Sequence, residues 1–180
     1  DGQGHILSPG FIDVHIHGYK GIDVMDGTVD TLNQLSQSIS ENGVTAYLAT
    51  TMTMDNKSIK TALTSVKEAM NHRENGFRGA MVLGAHLEGP FINETYKGAQ
   101  PKEFIRLPNE QLIEDFKDVI KVITIAPEVE GAMSFIKKYS ESMLLDIDRL
   151  TENINSILNL ARIESQNFGS EVTKDSLVEL

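Results

Sequence analysis

Four apolar, β-branched runs recur along the chain, and each is followed by residues at helical spacing. The runs are "FIDVHIH" (Phe11–His17), "VTAYLATT" (Val44–Thr51), "AMVLGAHL" (Ala80–Leu87) and "KVITIA" (Lys121–Ala126). Strands that stay apolar along their whole length are covered on both faces, which is the condition of a parallel sheet lying between helices. The helical stretches fit that scheme. Val29, Leu32, Leu35 and Ile39 share one helical face within Thr28–Glu41, and Asn42-Gly43 stops the run as a C-cap. Asp55 stands as an N-cap before "NKSIKTALTSVKEAM", and further helices are expected over Pro108–Lys117 and Gly131–Tyr139. Such a sheet is either open or closed into a (β/α)₈ barrel, which takes eight strands and about 250 residues.

The alternation stops near Ser140. From Ser142 onward Ile147, Leu150, Ile154, Ile157 and Ala161 are separated by steps of three and four, a heptad seam with no proline. The fold class expected from the pattern is therefore α/β: about four βα units over 10–141, of an open parallel sheet or of a partial TIM-type barrel, then a long amphipathic helix over 142–180. A seam of this kind suits a bundle or a homodimer.

Composition narrows the partners. A formal net charge of −10 over 180 residues argues against nucleic acid, whose phosphates need clustered Lys and Arg, and against an anionic membrane surface. No apolar run is long enough to span a bilayer. With no cysteine, disulfides and thiolate metal sites are excluded, and a reducing compartment such as the cytoplasm is expected.

The strand ends carry the chemistry. Side chains two apart share a strand face, so Asp13, His15 and His17 point one way, with the histidines at the C-terminal end where barrels place their sites. Two imidazoles at that spacing can hold a divalent cation, with Asp13 orienting an imidazole N–H from one layer deeper. On the third strand Gly84, His86 and Glu88 share a face, and Glu88 ends the strand before Gly89-Pro90. A mixed nitrogen and oxygen set suits zinc, iron, manganese or cobalt better than magnesium. The plainer alternatives are strand-end histidines bonded to backbone or water, a His86 hydrogen-bonded inside the barrel mouth, and a Glu88 that caps a turn. The Phe91–Leu107 segment is long for a βα connection and is either a pocket-building loop or a mobile surface one.

"SPGFIDVHIHG", "NGVTAYLATTMT", "GAHLEGPFINETYKGAQ" and "TIAPE" occur in this order. Together, over about Gly4 to Ser142, they resemble the N-acetylglucosamine-6-phosphate deacetylases of the amidohydrolase superfamily. The resemblance implies a (β/α)₈ barrel with a small β-sandwich domain, of which residues 1–9 are a remnant. It implies a divalent-metal hydrolase that removes acetate from an amino sugar phosphate, a small-molecule substrate. Glu88 matches the family's metal-binding glutamate, and His15 and His17 match an HxH pair that holds a second metal in some members. "KGAQ" matches a substrate loop, which makes Ala99 and Gln100 the sugar-binding candidates. Many members carry histidine at the Gln100 position.

The family's two later histidine ligands and its catalytic aspartate match no residue of this chain, so no catalytic residue is assigned. The tail "DIDRLTENINSILNLARIES" resembles the second dimerisation helix of a sensor histidine kinase, without the phosphoacceptor histidine. The resemblances together imply a truncated or chimeric deacetylase and leave open whether this chain alone is active or inactive. The alternative is a non-catalytic helical dimerisation or signalling fragment.

Overall fold

The computed structural model describes residues 8–71 and 78–140. The chain divides into two compact units, Asp1–Phe135 and Ile136–Leu180, and the fold below is that of the first. Residues 1–7, which make up most of the expected sandwich remnant, lie outside the described residues, as does the whole 142–180 tail read as a kinase-like helix.

β1 (Phe11–Ile16) leads into a small antiparallel hairpin, β2 (Gly18–Tyr19) and β3 (Ile22–Asp23). Then come α1 (Val29–Ser40), β4 (Val44–Thr50), α2 (Asn56–Asn71), β5 (Met81–Glu88), α3 (Glu110–Asp115) and β6 (Ile120–Thr124). A further helix begins at residue 132. β1, β4, β5 and β6 form one sheet in that order, with every neighbouring pair parallel. Successive βα units thus lie side by side, and all four C-terminal strand ends meet on one rim.

Asp55 caps α2 where the sequence puts it, whereas α1 has Glu41 as its C-cap, one residue before the expected Asn42-Gly43. Thr28 accepts the Thr31 N–H and starts α1, and Asp55 Oδ1 accepts the N–H groups of Lys57 and Ser58 at 2.9 and 3.0 Å. Asp55 stays below the usual carboxylate range, chiefly through the Ser58 hydroxyl bond and then the Ser58 N–H. The third helix is shorter than Pro108–Lys117. Asn109 Oδ1 caps it by accepting the Leu112 N–H, and Phe116 has already left helical geometry. The β2–β3 hairpin has no counterpart in the sequence reading, because two-residue strands leave no periodicity to detect.

α1 and α2 bury Leu32, Leu35 and Ile39 together with Ile59, Leu63 and Val66. Each such side chain contributes roughly 1.5–3 kcal/mol on leaving water. Tyr47 of β4 is fully buried beneath α1, where its hydroxyl donates to the Leu32 carbonyl (3.3 Å) and lies 3.0 Å from Ser36 Oγ. Burial pushes the phenol up to about 12, against an opposing effect of the Ser36 hydrogen bond.

β1 departs from its expected burial. Phe11, Ile12 and Val14 are 72%, 62% and 57% exposed. Its apolar composition is that of an interior strand, yet among the described residues β1 pairs on one side only, with β4. Among the described residues no helix is long and apolar enough to cross a membrane.

Candidate metal centre

β1 and β5 are separated by β4, and the C-terminal ends of β1 and β5 converge across it. His15 lies on β1, His17 follows it directly, and Glu88 is the last residue of β5. His15 Nε2 is 3.2 Å and His17 Nε2 2.8 Å from Glu88 Oε2, and the two imidazole nitrogens are 3.2 Å apart. The three residues sequence reading assigned to a metal are thus brought together, each offering one ligand atom.

The short contacts to the carboxylate are not hydrogen bonds. Glu88 Oε2 is buried, and no N–H points at it in hydrogen-bonding geometry. A buried carboxylate oxygen without a donor is costly to leave so. Three lone-pair atoms close together with no proton between two of the pairs call for a cation instead. Ligands held at about 2.0–2.2 Å around one ion stand roughly 2.8–3.5 Å from each other, the range observed here. The donor set therefore fits a divalent transition ion, and the two nitrogens favour it over magnesium.

The neighbours of these groups hold them in place. His17 Nδ1 is 3.2 Å from the Thr50 carbonyl, so it carries the ring proton and leaves the Nε2 lone pair facing Glu88. Thr50 Oγ1 also accepts the Ile16 N–H at 3.0 Å, tying the end of β1 to β4. His86 packs edge-on against His15, with ring centroids 4.8 Å apart. Its Nδ1 donates to the Val14 carbonyl (3.2 Å), and its Nε2 accepts from the Thr124 hydroxyl (2.8 Å). With both nitrogens engaged, His86 is a strut between β1 and β6, as its plainer reading held. Burial, first among its causes, lowers its pKa and favours the neutral ring.

Asp13 does not take the role expected of it. Its Oδ1 accepts the backbone N–H of His15 at 3.0 Å, not an imidazole N–H, because a carboxylate two residues back on one strand folds onto the nearer amide. The orienting acceptor is the Thr50 carbonyl, which sequence reading missed; a main-chain oxygen leaves no mark in residue identity. Of the two sugar-binding candidates, Ala99 is exposed and Gln100 is buried, both on the loop that follows β5. Lys97 on the same loop donates to the carbonyls of Gly98 and Gln100.

The Amidohydrolase family model matches residues 6–144. Among curated relatives, N-acetylglucosamine-6-phosphate deacetylase of Bacillus subtilis is 38% identical over 144 residues, covering 78% of this chain and 36% of its own length. The Vibrio furnissii enzyme of the same name is 39% identical, with 76% and 37% covered. N-acetylgalactosamine-6-phosphate deacetylase of Escherichia coli O157:H7 is 38% identical, with 73% and 35% covered. This chain therefore spans little more than a third of the length of these relatives. Among solved structures, N-acetylglucosamine-6-phosphate deacetylase from Pasteurella multocida superposes with a TM-score of 0.69 at 31% identity, over 77% of this chain and 36% of that one. The Thermotoga maritima enzyme gives 0.64 at 31% identity, over 73% and 34%. With its family model covering most of the sequence and its strand-end histidines and glutamate gathered on one rim, the chain belongs to the amidohydrolase family.

Proposed function

We propose that this chain carries the metal centre of a deacetylase that hydrolyses the acetamide of an N-acetylated amino sugar 6-phosphate, with N-acetylglucosamine 6-phosphate as the first candidate substrate. The observation that carries the reading is the donor-free Glu88 Oε2 between two imidazole nitrogens at 2.8 and 3.2 Å. The names of the relatives supply the substrate class. A partial TIM-type barrel over 10–141 is the fold that this reading takes.

When bound, zinc, iron, manganese or cobalt supplies a water deprotonated near neutral pH and polarises an amide carbonyl. His15 and His17 would hold it through Nε2 and Glu88 through Oε2, and the Thr50 carbonyl keeps His17 in the tautomer that can do so. Ala99 and Gln100 stand on the loop that would border the sugar. The cysteine-free chain and a phosphorylated, membrane-impermeant substrate favour a cytoplasmic setting.

The test is to titrate the purified chain with Zn²⁺ and Co²⁺ and to assay acetate release from N-acetylglucosamine 6-phosphate. One ion per chain, lost in Glu88→Ala, together with metal-dependent acetate release is the expected result. No ion binding overturns the metal reading. Stoichiometric binding without acetate release overturns the deacetylase activity of this chain alone.

A further inference from the structure

The loop after β5 is fastened to the end of β4, and the main fastening is one side chain. Gln100 is 7% exposed. Its amide oxygen accepts the Thr53 N–H at 2.8 Å, and its Nε2 lies 3.6 Å from Met52 Sδ. The amide thus spends its one strong acceptor on the main chain that follows β4. Lys97 Nζ donates to the Gln100 carbonyl at 2.9 Å, closing the turn around the same residue. Arg106 adds a second grip: its Nη1 donates to the Met54 carbonyl (3.3 Å) and its N–H to the Pro90 carbonyl (3.0 Å).

Thr53 links this fastening to the metal centre. It is fully buried, and its hydroxyl has no hydrogen-bond partner. A Cβ on Gly89 would stand 1.9 Å from that hydroxyl oxygen, so Thr53 bears directly on the residue next to Glu88. Gly89 has φ +70°, a left-handed turn that directs the chain away from β5 as soon as the carboxylate is placed. Gln100, Thr53 and Gly89 therefore form an unbroken series of contacts that ends at the peptide carrying Glu88.

We propose that Gln100 is a positioning residue for the metal-binding carboxylate: its amide oxygen, acting through Thr53 and Gly89, holds Glu88 opposite His15 and His17. This rests on the metal reading above and assigns Gln100 a task apart from any contact with sugar. Coupling of this kind is reciprocal, so an ion that fixes Glu88 also strengthens the Gln100–Thr53 hydrogen bond.

The experiment is a Co²⁺ titration of the full chain, followed by visible absorption, for wild type, Gln100→Met and Gln100→Glu. Methionine keeps the volume and removes the acceptor, while glutamate restores it. Gln100→Met is expected to bind Co²⁺ roughly 10-fold or more weakly and to alter the absorption bands, as loss of an outer hydrogen-bond partner does; Gln100→Glu is expected to stay within about threefold of wild type. A methionine variant with wild-type affinity and spectrum overturns the positioning role and leaves the metal centre standing. A wild-type chain that binds no Co²⁺ overturns both. Should Gln100→Met fail to fold, the wild-type chain decides alone: Thr53 amide exchange slows in step with Zn²⁺ occupancy if the coupling exists, and unchanged exchange overturns it.

Discussion

The Thr50 carbonyl lies 3.2 Å from His17 Nδ1, while the Thr50 hydroxyl accepts the Ile16 N–H one residue earlier. One residue of β4 thus sets both the tautomer of a candidate ligand and the seating of the strand that bears it. Thr50→Val keeps the shape and the carbonyl but leaves the Ile16 N–H without its acceptor. The expected loss is about 1–3 kcal/mol of stability, read by urea unfolding, with Zn²⁺ affinity reduced in the same protein. Unchanged unfolding would show that water serves that amide equally well.

Glu88→Gln replaces an anionic donor with a neutral amide of the same size. Zn²⁺ affinity is expected to fall by more than the roughly 10–100-fold that outer partners cost, as measured by calorimetric titration. The apo protein should be no less stable than wild type, because the change also removes a buried carboxylate oxygen that no N–H serves.

Ligand linkage gives a second readout of the same centre. At about 100 times the dissociation constant, an ion that binds only the folded chain adds about 2.7 kcal/mol, so Zn²⁺ should raise the melting temperature of wild type and a chelator should reverse it. His17→Ala should show a much smaller rise. An equal rise in both proteins places the ion elsewhere.

Gly89→Ala meets two obstacles together, a φ of +70° and a methyl 1.9 Å from Thr53 Oγ1. A non-glycine residue in the left-handed region costs about 1–2 kcal/mol before any clash is counted. Thermal unfolding should therefore report a loss above that range, with weaker Co²⁺ binding because the adjoining carboxylate moves.

Alkaline pH tests the Tyr47 environment. The phenol is raised to about 12 by burial, so its folded value lies above its unfolded one. The stability it contributes is complete below about pH 10 and is lost as pH rises towards 12. Over that window wild type should lose about 2–3 kcal/mol that Tyr47→Phe retains, measured by denaturant unfolding at successive pH values.

The parts of the fold that were legible beforehand have strong periodicity or a cap. The four parallel strands, α1, α2 and the Asp55 cap all stand within a residue or two of where the pattern put them. His15, His17 and Glu88 could be grouped because period-two alternation and the strand ends together fix where such side chains meet. Exposure of Phe11, Ile12 and Val14 was not legible, since it depends on what pairs beside β1 and not on the strand's own residues. The Thr50 carbonyl and the pressure of Thr53 on Gly89 were also out of reach. A backbone oxygen looks the same in every residue, and a van der Waals contact between two loops has no local signature.

β1 is an edge strand of the described sheet, yet it and the residue that directly follows it bear the two imidazoles, while the carboxylate they face belongs to a strand two places inward. An ion at that point is a clasp passed over β4, and closing it and docking β1 are one equilibrium. The margin at β1 should therefore open more readily in the metal-free chain than in the metal-loaded one, so the proposed ion would also fasten one edge of the sheet.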